Sequence, residues 1–307
     1  MMSYTLELIA RNDVFGMTKA IEDWDPMIQK EFLSNSGTAT NIIEQIKIKT
    51  QHFTTEDRIN LQDVLLQQYK DIDLATAVKD NIAAITNPKT FTISTGHQLN
   101  LAMGPLYLIY KILHTIRMVE ELNTAHPDYH FVPVFWMASE DHDFEEINHI
   151  HLFKKTLIWK NKNHGAVGDY TCNGLSEIID YLEPILEKDQ NGKELIMLFR
   201  EAYSEGETLA NATRKLVHTL FGNYGLVVID SNDTRLKQIL IPVIKKDIFE
   251  NSFQAEIQYS VSQLKGYNLP VNPREINVFY LTKSLRERII KSGDNYTITG
   301  GSIRWTK

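Results

Sequence analysis

Phe131–Ala138 is an unbroken apolar run of strand length, and it ends abruptly in Ser139-Glu140-Asp141-His142-Asp143. Continuous apolarity over that length predicts a strand buried on both faces, as in a parallel sheet flanked by helices. A partner strand precedes it at Phe91–Ser94, set off by Asn87-Pro88. Between the two, after Gly104-Pro105, residues Leu106, Ile109, Tyr110, Leu113 and Ile116 predict the apolar face of a long helix. Pro105 suits the first helical position, where its missing N–H would lack a partner anyway. Residues 91–138 therefore predict a βαβ unit and an α/β fold class.

The rest of the chain is read around that unit. Residues 19–85 are expected to be mostly helical, most clearly over 57–70 and 75–85. Short strands over 149–160 lead into a glycine-containing loop, 161–174, and then helices over 177–187, 194–203 and 207–221. A strand at 226–230 follows, with helices over 233–249 and 254–264. From Ile276 the pattern alternates, predicting strands at 277–281, 285–291 and 296–299 with a turn at Ser292-Gly293-Asp294. The expected division is a helical part over 1–86, an α/β core over 87–264 and a β-rich hairpin segment over 265–307.

Composition narrows the partners. The chain has 307 residues, 43% hydrophobic and 23% charged, an ordinary soluble balance with length enough for a large core. A net charge of -7 with no Lys/Arg cluster disfavours nucleic acid and anionic membranes. No apolar stretch approaches the roughly 20 residues that span a bilayer, and Met1-Met2-Ser3-Tyr4 does not begin a signal peptide. One cysteine, Cys172, rules out an internal disulfide and fits a reducing, cytoplasmic setting. It sits without an obvious activator, which argues against a nucleophile.

Ligands of open α/β sheets bind beyond the carboxyl ends of the strands. Two segments fall there. Thr95-Gly96-His97-Gln98, with Gly104 before the helix, could cradle phosphate or carboxylate on free N–H groups; equally, Gly96 and Gly104 could merely permit a tight connection. No named nucleotide fingerprint is met. The second segment is Glu140, Asp141, His142 and Asp143, able to supply a general base or hold a divalent metal. If 142–149 is helical, His142, Glu146 and His149 share a face. The plainer reading is a capping box of Asp143 with Glu146, which leaves His142 unexplained. Lesser candidates are Asn148, Ser204 beside Glu205-Gly206, and Asp230 at the end of its strand. Arg286 and Arg288, on one face of a strand, could bind a dicarboxylate or form an exposed charged surface. Lys111 reads as solvated, and Trp136 and Trp159 as core or sheet-surface aromatics.

Taken together, Ser94-Thr95-Gly96-His97-Gln98, Gly104-Pro105-Leu106-Tyr107, Val132–Trp136 with Ser139–Asp143 and Glu146-Ile147-Asn148 resemble the bacillithiol biosynthesis family called BshC. Tyr203–Gly206 with Thr208-Leu209-Ala210, Tyr224–Val228, and Arg274-Glu275 with Asn277–Leu281 and Arg286–Ile289 continue the match in order. His97 departs from the glutamine expected there. The resemblance implies a Rossmann-like parallel-sheet core and a cysteine ligase that adds L-cysteine to glucosaminyl-malate in the last step of bacillithiol biosynthesis. It implies ATP activation of a carboxylate, with phosphate at Thr95–Gln98. Glu140–Asp143 would position the amine or a metal, a carboxylate or His142 would act as base, and Arg286 or Arg288 would hold malate. It also implies a C-terminal coiled coil that pairs two subunits; because the chain stops at Lys307, that element is expected to be missing here. The alternatives are a metal-dependent hydrolase built on the His/Asp/Glu cluster and an inactive fragment.

Overall fold

The computed structural model describes residues 41–152, 154–264, 274–301 and 303–306, with positions 26 and 267. The helical reading of 19–40 lies outside the described residues except at Pro26. Helix α1 spans Ile42–His52, α2 Thr55–Gln68 and α3 Thr76–Ala84. The start of α2 is dictated locally. Thr54 Oγ1 accepts from the Asp57 N–H at 3.1 Å, and the Asp57 carboxylate accepts from the Thr54 N–H at 2.9 Å, which is a capping box.

One turn into α2, the buried Arg58 guanidinium donates to the carbonyls of Ile85 (3.0 Å), Asn87 (3.1 Å) and Thr90 (2.8 Å). It thereby ties the end of α3 to the start of the first strand. Arg58→Met fills similar space but takes the guanidinium away from the Ile85 and Thr90 carbonyls, while the Asn87 carbonyl keeps the Thr90 N–H at 3.0 Å. It is expected to cost about 2 kcal/mol, measurable by denaturant unfolding.

Strand β1 covers Thr90–His97, α4 Leu106–Ala125 and β2 His130–Met137. β1 and β2 pair in parallel from Thr90↔His130 to His97↔Met137, which is the βαβ unit the pattern predicts. The buried stripe of α4 differs from the expected one. It is Leu108, Ile112, Ile116, Val119 and Leu122, whereas Leu106, Tyr107, Tyr110 and Leu113 are exposed. The first half of α4 is apolar all round, so periodicity admits both faces, and packing on β1 and β2 selects one.

A single helical turn, α5 (Phe144–Ile147), leads to the antiparallel hairpin β3 (His149–Leu152) and β4 (Lys155–Ile158). Helices α6 (Ser176–Leu186), α7 (Gln190–Ala202) and α8 (Leu209–Phe221) follow, then β5 (Val227–Asp230). β5 pairs in parallel with β2, giving the order β1-β2-β5. One continuous core joins this sheet to α2, α3, α4, α6, α7 and α8.

Beyond it lie α9 (Thr234–Ile239), α10 (Ile241–Lys245), a π-helical turn at Lys246–Glu250, and α11 (Gln254–Gln263). The C-terminal part is an antiparallel sheet of β6 (Phe279–Thr282), β7 (Leu285–Ser292), β8 (Asn295–Ile298) and β9 (Arg304–Thr306). It has a small core of its own around Ile276, Ile289 and Tyr296. Its β6–β7 turn sits directly on Gly165. A Cβ there would lie 2.9 Å from the Thr282 and Lys283 carbonyl oxygens, and the backbone has φ +96°. Both facts demand glycine.

Candidate active site

The three parallel strands end side by side, with His97 opposite Met137 and Met137 opposite Asp230. The Ala138 N–H extends the pairing by donating to the His97 carbonyl at 3.0 Å. Everything after Gln98, Ala138 and Asp230 therefore emerges at one sheet edge. The expected turn at Thr95–Gln98 is not there. Thr95, Gly96 and His97 are strand residues paired with Phe135, Trp136 and Met137. The chain then makes a 3-10 turn at Leu101–Met103, closed by the Gly104 N–H on the Leu101 carbonyl at 3.1 Å. Pro105 occupies the N-cap of α4 instead of its first helical position. A tight strand-turn-helix cradle is thus replaced by a longer excursion, because pairing with β2 holds β1 extended to His97.

Lys111 and His97 lie beside β1, and Lys111 is not simply solvated as expected. Lys111 donates to the Gly96 carbonyl, lies 5.4 Å from the Tyr107 ring, and has no carboxylate partner among the described residues. His97 Nδ1 lies 3.1 Å from the Gln98 carbonyl. A carbonyl only accepts, so Nδ1 carries the proton and the neutral ring offers its other nitrogen as an acceptor. His97 therefore donates to an anion only when it is protonated.

Gln98 is the hinge of the edge. Its amide nitrogen donates to Asp141 Oδ2 at 2.9 Å and to Glu146 Oε2 at 2.6 Å. Two carboxylates fix that atom as nitrogen, since an amide oxygen would repel both. Asp141 Oδ1 accepts the His142 N–H at 2.8 Å. Burial pushes the Asp141 carboxyl up, but hydrogen bonds from Gln98 and His142 outweigh it and hold it below the ordinary range. Asp141 is accordingly a fixed anion. The capping box expected of Asp143 and Glu146 does not form: Asp143 makes no side-chain cap bond, and Glu146 is turned to Gln98. The shared face of His142, Glu146 and His149 does not exist either, because α5 is a single turn and His149 begins β3.

His142 meets Arg286 across 144 positions, with Nδ1 2.9 Å from the guanidinium. The same Nδ1 lies 3.4 Å from Asp141 Oδ1 and 3.5 Å from Asp143 Oδ1. Guanidinium can only donate, so Nδ1 meets Arg286 as an acceptor, whereas a proton on Nδ1 would serve the two carboxylates. Arg286 also stacks 4.0 Å over the Phe279 ring. Its neighbour Arg288 is not brought in: its backbone N–H donates to Thr299 Oγ1 at 3.3 Å, and its buried Nε has no partner. Ligand atoms of Asp141, His142 and Asp143 lie within 4.8 Å of one another, a spacing a divalent cation can use. Arg286 already supplies positive charge at that cluster.

The β5 side of the edge forms a second network. Buried Ser139 donates to Asp230, which also accepts the Asn232 N–H at 2.9 Å and lies 3.9 Å from the buried Arg214 guanidinium. Glu140 pairs with Lys237 at 3.3 Å. Asp169 takes Asn232 Nδ2 at 3.3 Å, and partial burial, then the nearby Asp230 charge, push its carboxyl up. The turn that carries Asp169 is bonded to the motif loop: Val167 N–H donates to the Asp141 carbonyl (2.7 Å) and Gly168 N–H to that of Ser139 (2.9 Å).

Asp169, Lys237, Arg214 and Gly168 were not singled out from the sequence. Only the glycine count of the 161–174 loop hinted at a close approach. Asn148 serves the hairpin, its carbonyl accepting the Trp159 N–H at 2.7 Å. Ser204 is exposed at the end of α7, and no described contact joins it to the edge. Cys172 is fully buried, and burial pushes its thiol up to about 12. It is expected to resist alkylation by iodoacetamide at neutral pH in the native protein and to react once unfolded, as intact-mass measurement would show.

A family model described as "Bacillithiol biosynthesis BshC, N-terminal Rossmann-like domain" matches residues 8–307. Curated relatives bear the name "Putative cysteine ligase BshC". One from Flavobacterium johnsoniae is 42% identical over 292 residues, covering 94% of this chain and 55% of the relative. One from Cytophaga hutchinsonii is 44% identical over 244 residues, covering 79% of this chain and 45% of the relative. The chain thus spans about half the length of the curated relatives it matches. Among the described residues no helix is long and apolar enough to cross a membrane.

Proposed function

The chain belongs to the BshC family, and from that premise we propose that it carries the Rossmann-like part of a cysteine ligase that adds L-cysteine to glucosaminyl-malate, completing bacillithiol in the cytoplasm. The single observation supporting a reaction at this edge is the Gln98 clamp: one amide holds Asp141 and Glu146 together beside the His142–Arg286 contact.

In this reading Asp141 and Glu146 receive an ammonium group, since two fixed acceptors beside each other suit N–H donors. The Arg286 fork takes a malate carboxylate. An amine must lose its proton before attacking. His142 Nδ1 is occupied by Arg286, so a carboxylate is the better base, and Asp169, which holds a proton more readily than Asp141, is the one we assign. Amide formation from a free acid is uphill in neutral water, so ATP activation of the carboxylate belongs to the proposal. Lys111, a half-buried ammonium bonded to the Gly96 carbonyl and without a carboxylate partner among the described residues, and the first-turn N–H groups of α4 are the groups that suit its phosphates. Pairing of two full-length copies belongs to the same reading.

The test is to incubate the chain, and a full-length relative, with cysteine, glucosaminyl-malate and ATP, and to look for bacillithiol by mass. Undiminished formation after the substitutions corresponding to Asp141→Ala and His142→Ala in that relative would remove the site. The spacing of Asp141, His142 and Asp143 favours a second reading, a metal-dependent hydrolase. Metal analysis of protein purified without added metal separates the two.

A further inference from the structure

The β3–β4 hairpin carries a histidine pair that the ligase reading leaves unused. His149 and His151 stand two residues apart on β3, so their side chains share one face. Their ring centroids are 4.7 Å apart, at an interplanar angle of 65°. Both line a shallow cavity of about 370 Å³ together with Glu145, Asn148 and Thr156.

The second nitrogens decide what the pair can do. His149 Nδ1 lies 3.2 Å from the Glu145 carbonyl and 3.2 Å from Asn148 Oδ1. The carbonyl only accepts, so Nδ1 carries the proton and Nε2 carries the lone pair. His151 Nδ1 lies 3.0 Å from Thr156 Oγ1, which can accept the same proton. Neither Nε2 has a partner among the described residues. A histidine whose Nδ1–H is held by an oxygen, with Nε2 left free, is the arrangement that metal-ligating imidazoles adopt. Two such rings on one strand face suit a borderline transition metal better than magnesium or calcium.

We propose that His149 and His151 bind a divalent transition metal such as Zn2+ or Cu2+ through Nε2, with solvent completing the shell. The site is separate from the Asp141–Asp143 cluster and does not depend on the ligase reading. The test uses the whole chain. Zn2+ titration by calorimetry is expected to show one site, and His149→Ala or His151→Ala to weaken it at least ~10-fold, because loss of even a group supporting a ligand costs that much. The Cu2+ electron paramagnetic resonance spectrum is expected to show coupling to two imidazole nitrogens, to lose it in either variant, and to keep it in His142→Ala. Absence of binding, or binding that survives both variants or disappears with His142→Ala alone, would overturn the site. Circular dichroism of each variant shows that any loss is not unfolding, and both side chains lie on a surface hairpin.

Discussion

Gly168→Val is expected to destabilise the chain by about 2–3 kcal/mol, the upper part of the range for forcing extra carbons into a packed site. It is also expected to abolish the proposed ligase activity. A Cβ at Gly168 would stand 2.6 Å from Ser139 Cβ and 3.0 Å from the Ser139 carbonyl oxygen. Neither atom is the end of a flexible chain, so the backbone must move. What would move is the site itself. Gly168 donates to Ser139, Val167 donates to Asp141, and Ser139 holds Asp230. The loop that carries Asp141 and His142 therefore rests on a glycine 29 positions after Ser139. Thermal unfolding should show a drop of several degrees. Gly96→Ala is the control. Its Cβ would meet only ordinary contact, 3.4 Å from the Trp136 carbonyl oxygen, and the change should cost under ~1 kcal/mol. Equal losses for the two variants would refute the role given to Gly168.

Gln98→Glu is expected to lower the cysteine-adding rate by about 100-fold, the scale for displaced positioning groups. The amide now donates to two carboxylates at 2.9 and 2.6 Å; the variant places a third carboxylate among them. Three such groups at contact distance cannot all ionise, so at least one takes up a proton near neutral pH. The defect should therefore lessen as pH falls toward 5. The unaltered protein should behave differently. Asp141 is held below its ordinary value of 3.8, so what its charge contributes to stability is present above the unfolded value and is lost only as pH falls through the lower folded one. Its clamp should persist through pH 5. A pH-rate profile of both proteins, read as a ratio, decides the matter. A ratio that stays flat with pH would sink the charge argument.

The legible part of the site was whatever depended on neighbours in the chain. Asp141 and His142 sit at a strand end because Phe131–Ala138 has to be buried, and that requirement is local. The parts that failed are equally specific. Asp143 with Glu146 has capping-box spacing, yet Glu146 found a better donor in Gln98, 48 positions away. Thr95-Gly96 reads as a turn, but pairing with Phe135 and Trp136 keeps it in the sheet. The face of α4 was misread because both sides of its first half are apolar, and burial depends on which side meets the sheet.

By itself the sequence determined the βαβ unit, the hairpin-rich ending, the family, and the edge at which His142 emerges. The βαβ unit, the hairpins and the edge follow from apolar period and turn chemistry, which act over a few residues; the family follows from the resemblance of motifs spread along the chain. Only the tertiary structure decided what surrounds that edge: Arg286 on His142, Gln98 between two carboxylates, Asp169 beside Asp230, and the seat of the β6–β7 turn on Gly165. Each is a contact between segments far apart in the chain. Its energy depends on distances of a few ångströms, and no local pattern encodes those.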